Sequence, residues 1–306
     1  MNISVVIPNY NGKNLIAKNI SRILEILESY KTGKTEVIVI DDASTDESVL
    51  IINNLKLKYS NLKLIKNEKN LGFSSTVNKG VRQASGDVVI LLNTDVTPEK
   101  DFLDPLLDHF KDENVFAVGC LDKSIEGDKT VLRGRGLGEW KRGFLVHRRG
   151  EVDKADTLWV SGGSAAFRKS IWDKLGGLNE LYNPFYYEDI DLSYRALKSG
   201  YKVLFEPKSV VVHEHEKGAI KTKYSQKQIK RIAYRNQFIF VWTNITDLSF
   251  RALHFIWLPY HFIKAITALD LEFFFGFFQA FILLPKVIKS YFRSKTYFVK
   301  KDNEII

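Results

Sequence analysis

Acidic and amide side chains gather at four places in this 306-residue sequence. Pro8-Asn9-Tyr10-Asn11-Gly12, Asp41-Asp42-Ala43-Ser44-Thr45-Asp46 and Asn93-Thr94-Asp95 each follow an apolar run, and Glu188-Asp189-Ile190-Asp191 lies further on. A carboxylate accepts hydrogen bonds from an imide N–H or a ribose hydroxyl more strongly than a neutral turn residue, so Asp41 and Asp42 are candidates for holding a nucleoside. Asp95 can share a hard divalent cation with phosphate oxygens, which would neutralise a diphosphate. Ser44 and Asp46 read more simply as turn or cap residues. Without context, Glu188, Asp189 and Asp191 are the start of a helix.

These residues need a scaffold that brings strand ends together. Apolar runs at 3–8, 36–40, 62–66 and 88–92 read as strands, and amphipathic stretches at 14–30, 46–59 and 74–84 read as helices between them. That alternation predicts βαβ units and a mostly parallel sheet, with ligands bound beyond the carboxyl ends of the strands. Residues 133–149, rich in Gly and Arg, show no core pattern and read as a mobile loop. Arg133-Gly134-Arg135-Gly136-Leu137-Gly138 imitates a dinucleotide fingerprint, but it follows no convincing strand and opens no helix.

The ordered series Val5-Val6-Ile7-Pro8-Asn9-Tyr10-Asn11, Val39-Ile40-Asp41-Asp42-Ala43-Ser44-Thr45-Asp46, Asn70-Leu71-Gly72-Phe73 with Asn78-Lys79-Gly80, and Leu91-Leu92-Asn93-Thr94-Asp95 resembles the family 2 glycosyltransferases of the GT-A fold. The likeness continues through Ser161-Gly162-Gly163, Gly176-Gly177-Leu178-Asn179-Glu180, Tyr187-Glu188-Asp189-Ile190-Asp191 and residues 207–213, with rhamnosyltransferase-like members nearest in look. The resemblance implies an α/β domain with a mixed, mostly parallel central sheet over residues 1–216. It implies a nucleotide site lined by Pro8, Tyr10, Asp41 or Asp42, Asn70, Gly72 and Asn78, with Gly162 a further substrate-binding residue. It makes Asp95 and His213 ligands of Mg²⁺ or Mn²⁺, Asp189 the base that deprotonates the acceptor hydroxyl, and Glu188 a positioning group. Asn93 stands where the family carries an acid, so it brings a carbonyl and no charge. A zinc site made from His213 and His215 would need further ligands that the sequence does not offer.

One cysteine, Cys120, excludes an internal disulfide framework, and the amino terminus has no basic, apolar leader, so a cytoplasmic setting is expected. The net charge of +9 calls for an anionic partner. Lys217, Lys221, Lys223, Lys227, Lys230, Arg231 and Arg235 precede aromatic runs too short for the roughly 20 residues of a membrane span. Residues 217–306 are therefore expected to form a helical tail lying peripherally on the anionic inner face of a cell membrane. A helical subdomain burying the same aromatic residues is the plainer alternative. Nucleic acid is not expected, because the basic cluster adjoins these lipid-like helices rather than the folded domain. The expected partners are a nucleotide-sugar donor, of the dTDP or UDP type, and a lipid-linked or polysaccharide acceptor. Rival readings are a catalytically silent glycan-binding homologue and a sugar-phosphate nucleotidyltransferase, although the latter lacks a Gly-rich loop after the first strand.

Overall fold

The computed structural model describes residues 1–213 and 223–306. Strands β1 (Ile3–Asn9), β2 (Thr35–Asp41), β3 (Leu62–Lys66) and β4 (Val88–Leu92) lie parallel in the order β3-β2-β1-β4. Helices α1 (Lys13–Ser29), α2 (Ser48–Lys58) and α3 (Phe73–Gln83) join them. Val37, Ile38, Val39 and Ile40 are fully buried, because a parallel strand covered by helices on both faces has no solvent side.

The sheet then turns mixed. β10 (Ser164–Arg168) runs antiparallel between β4 and β6 (Val115–Glu126), and β11 (Lys202–His213) runs parallel to β6. β5 (Val96–Pro98) closes the edge against β11, and β7 (Lys129–Arg133) pairs with β6. Two reversals restore the original direction, so the carboxyl ends of β1, β2, β4, β6 and β11 share one edge. The start of β10 reaches that edge too, which brings Gly162 and Gly163 beside the residues that follow β4. Helices α4 (Leu103–Asp108), α5 (Lys169–Leu175) and α6 (Glu188–Lys198) complete this half.

Residues 133–149 are not a loop, contrary to the sequence reading. They hold β8 (Gly136–Lys141) and β9 (Phe144–Arg149), a hairpin turned by Arg142 and Gly143 with φ of 50° and 79°. Positive φ at both central residues suits the twist of a two-residue hairpin. The alternation was hidden because Phe144 and Leu145, neighbours on opposite faces, are both buried. Gly136 and Gly138 do not confer mobility. A Cβ there would collide with the ring of Trp159 and the side chain of Leu158.

The carboxyl-terminal helices are α7 (Gln226–Asn244), α8 (Leu248–Thr267), α9 (Leu271–Ile282) and α10 (Leu284–Lys295). His215, Lys217, Lys221 and the expected boundary at 216 lie outside the described residues. α7 is a core element: Phe238, Ile239 and Phe240 are fully buried, so this aromatic run faces protein and not lipid. Asp191, expected to cap or stabilise the following helix, is fully buried in its first turn and also joins α6 to α7. It accepts from Arg195 Nε at 2.7 Å, Asn244 Nδ2 at 2.8 Å and Tyr182 OH at 3.0 Å. Asp302 near the carboxyl terminus is equally buried and bonds Lys198 Nζ at 2.6 Å, Tyr194 OH at 2.7 Å and the backbone N–H groups of Thr246 and Asp247. Losing one member of such a buried pair typically costs about 3–5 kcal/mol, which binds the last residues of the chain to the sheet domain.

The outer helices differ from α7. Phe255, Ile256 and Ile263 on α8, Phe278, Phe281 and Ile282 on α9, and Phe292 on α10 are exposed. Among the described residues no single helix is long and apolar enough to cross a membrane. α9 and α10 reach that threshold only together, and they are bent by 65° at their junction.

Candidate active site

At the first two strand ends, the structure gives the aspartates a bracing role that the sequence reading missed. Asp41 is 2% exposed and accepts from Asn9 Nδ2 at 2.7 Å and Ser44 N at 2.9 Å, which fixes the turn after β2 and ties it to the end of β1. Asp42 accepts from Leu71 N and Asn67 Nδ2, both at 2.8 Å, and from Gly72 N at 3.0 Å. It therefore shapes the loop that carries Asn70 and Gly72. Gly72 must be glycine: its φ is +85°, and a Cβ would lie 3.0 Å from Asn183 Oδ1. Asn78 braces the site in the same way. It is buried, and its amide bonds both Leu178 N and Leu178 O, at 2.9 and 2.8 Å. Pro8, Tyr10 and Asn70 retain exposed surface at this edge. Lys223 Nζ lies 4.4 Å from the Tyr10 ring centroid, so the tail reaches the same place.

Asp95 and His213 meet beyond β4 and β11. His213 Nε2 faces Asp95 Oδ2 at 3.3 Å, while Nδ1 bonds Asp122 Oδ2 at 2.8 Å. Burial would lower the His213 pKa, but the bonds to Asp122 and Asp95 override it and raise it to about 9. A spacing of 3.3 Å lets both side chains approach one ion at the usual distance of about 2 Å. Asp122 on the other ring nitrogen is the orienting partner that a metal-bound histidine normally has. Among the described residues, no group of three or more His, Cys, Asp or Glu side chains is arranged to hold a metal. The pair offers one carboxylate oxygen and one imidazole nitrogen to a cation, and phosphate oxygens of a ligand could complete its shell.

Gly162 and Gly163 connect this end to the acidic pair. Asn93 N donates to Gly163 O at 3.0 Å, and the Asn93 amide occupies the place of a Gly163 Cβ. Gly162 N lies 3.5 Å from Asp189 Oδ2, and its missing Cβ leaves Phe73 and Asp189 room on either side. Burial raises the pKa of Asp189. Glu188 is 7% exposed, and its Oε2 has no hydrogen-bond partner. Burial, then the charge of Asp189, push its pKa well above the usual value. Asp189, in the first turn of α6, thus stands across the Gly162–Gly163 turn from Asn93.

Residues 4–176 match the family described as Glycosyl transferase family 2. The chain belongs to that family. A probable glycosyltransferase of Bacillus subtilis, YdaM, is 28% identical over 241 residues, covering 78% of this chain and 56% of the relative. The O-antigen chain rhamnosyltransferase RfbN of Salmonella typhimurium is 26% identical, covering 70% of this chain and 67% of RfbN. The chain thus spans between about half and two thirds of the length of these relatives. Staphylococcus aureus TarS 1–349 in complex with UDP-GlcNAc superposes with a TM-score of 0.62 at 17% identity, over 97% of this chain and 84% of that one. The mannosyltransferase PcManGT of Pyrobaculum calidifontis, solved with GDP-Man and Mn²⁺, gives 0.57 at 17% identity over 96% and 84%. These likenesses support the GT-A fold.

In this family 2 chain the acidic pair depends on α7. Tyr186 and Tyr187, which precede Glu188, have φ of 73° and 74°, a costly conformation for aromatic residues. Asn236 Nδ2 holds them by donating to Tyr182 O at 3.3 Å, Phe185 O at 2.9 Å and Tyr186 O at 2.8 Å, and Arg235 Nη2 adds Asn183 O at 2.6 Å. Asn236→Ala should therefore lower turnover by about 10- to 100-fold through misplaced carboxylates, with nucleotide binding retained. Unchanged activity per folded molecule would show that the clamp does not position the pair.

Asp122 and Asn236 carried readable signals. Asp122 is an acid on the buried alternation of β6, between Cys120 and Ser124, and Asn236 is an amide at the head of an apolar run. Neither signal names a partner. Lys223 gave none beyond its charge.

Proposed function

We propose that this chain is an inverting glycosyltransferase that moves a sugar from a dTDP- or UDP-sugar to a hydroxyl of a lipid-linked or growing polysaccharide acceptor. The observation that carries this reading is the Gly162–Gly163 turn, which touches Asp189 on one side and Asn93 on the other. A sugar held there would have a base on one face and its leaving diphosphate on the other, as displacement with inversion needs. Pro8, Tyr10 and Asn70 offer the exposed nucleoside surface, and Asp41, Asp42 and Asn78 keep its walls in place. Asp95 and His213 would hold Mg²⁺ or Mn²⁺, which supplies positive charge to the departing diphosphate. Neighbours solved with UDP-GlcNAc, GDP-Man and Mn²⁺ support a nucleotide-sugar and a divalent cation.

A panel of UDP-, dTDP- and GDP-sugars should identify the donor through release of nucleoside diphosphate. If none of the panel binds or turns over, the glycosyltransferase reading fails for this chain.

The exposed apolar face of α8, α9 and α10 supports a peripheral position on the cytoplasmic face of a membrane. Lys264, Lys286, Lys289, Arg293 and Lys295 are exposed on these helices, as an anionic headgroup layer favours. Each such charge contributes on the order of 1 kcal/mol at the surface. The protein should sediment with anionic vesicles at low salt and dissociate as salt rises. Failure to sediment at low salt would make this face a protein contact.

A further inference from the structure

The β8–β9 hairpin lies between helix α8 and a basic cavity. At its turn, Arg142 Nη1 donates to Tyr260 OH at 2.7 Å, and His261 bonds Arg142 O at 2.8 Å, so this end docks on α8. At its other end opens a cavity of about 750 Å³ lined by Arg135, Leu137, Arg148, Arg149, Glu151 and Lys154, among others. Arg135 is 7% exposed and paired with Asp156 at 2.6 Å, so it forms a fixed and largely neutralised floor. Arg148 and Arg149 are exposed and have no ion pair or side-chain hydrogen bond among the described residues. With Lys154 they set three positive charges against the one carboxylate of Glu151.

Strand β9 links this cavity to the residues that precede the acidic pair. The His147 ring lies 5.4 Å from the Tyr187 ring, and Tyr187 immediately precedes Glu188 and Asp189. Arg149 is two residues further along β9, about 7 Å at strand rise. An acceptor with one hydroxyl at Asp189 would have the hairpin as its route toward the arginines.

We infer that this cavity is an acceptor subsite for an anionic glycan segment, one that carries phosphodiester or carboxylate groups, and this rests on the glycosyltransferase reading. Arginine side chains present forked donors to both oxyanions. The glycan is favoured over a lipid headgroup by position. The cavity lies at the end of β9 opposite the turn that docks on α8, five residues and roughly 17 Å of strand away.

The test uses the full chain with three soluble probes: a glycerol-phosphate oligomer, a glucuronic acid oligomer and neutral dextran. Binding is followed calorimetrically at two salt concentrations. At least one anionic oligomer should bind in preference to dextran, more weakly at high salt. Arg148→Glu and Arg149→Glu should each lower its affinity about ten-fold or more, while Arg148→Lys and Arg149→Lys lose less. Melting temperature is checked for each variant, and both side chains are exposed. Equal binding of dextran, or binding unchanged by both charge reversals, overturns the proposal. So does a result in which the arginines govern sedimentation with anionic vesicles but not oligomer binding, because the patch is then a membrane contact. Nucleoside diphosphate binding, measured on the same samples, reports separately on the glycosyltransferase reading.

Discussion

Asp189→Asn is expected to lower sugar transfer by roughly 10²- to 10⁴-fold while nucleotide-sugar binding survives, because it removes the proton acceptor and keeps the shape. Asp189 lies against Gly162 and on the opposite side of that turn from Asn93, so the loss should fall on turnover and not on donor affinity. Burial raises its pKa, so the parent enzyme should lose activity on the acid side at a pH above the ordinary carboxylate range. Glu188→Gln is the comparison. The Glu188 pKa is raised well above its usual value, by burial first and by Asp189 second, so its ionised form is disfavoured in the folded state. Such a group stabilises the fold when protonated and loses that contribution as pH rises through the folded pKa. Glu188→Gln should accordingly raise the melting temperature near neutral pH while lowering turnover less than Asp189→Asn. If Glu188→Gln abolishes transfer and Asp189→Asn is nearly as fast as the parent, the two roles are reversed. If neither matters, the pair only begins α6.

Removal of divalent cation with EDTA is expected to reduce turnover by more than about 10²-fold, with Mn²⁺ or Mg²⁺ restoring it. Asp95 brings a carboxylate that faces His213 Nε2 at 3.3 Å, and Asn93 brings no charge, so ion binding should be weak without nucleotide and strong with it. Titrating the ion with and without nucleoside diphosphate separates these cases. Asp95→Ala should abolish the difference. Asp122→Asn should weaken ion binding without removing a ligand, because it releases the His213 ring from the partner at 2.8 Å. Full turnover in chelator would sink the metal role. It would leave His213, whose pKa burial would lower but Asp122 and Asp95 raise to about 9, as a positive group available to the diphosphate.

The sequence alone determined the parallel half of the sheet and the edge on which the chemistry gathers. β1 through β4 follow from local apolar periodicity, and the polar residues after them emerge together because parallel strands end on one side. The ordered motifs single out Asp95, Asp189 and His213, and the structure places Asp95 and His213 together. Tertiary structure decided how those residues are held. Asp122 and His213 are 91 positions apart and meet only because β6 and β11 pair. Asp42 could be recognised as a site residue, but its binding to Leu71 and Gly72 was invisible, since nothing local states where a carboxylate points. The Gly-rich segment looked mobile because glycine signals both freedom and close approach, and only Leu158 and Trp159 reveal which applies. Asn236 reaches the loop before the acidic pair from a helix some fifty residues away, by a packing that local periodicity does not encode.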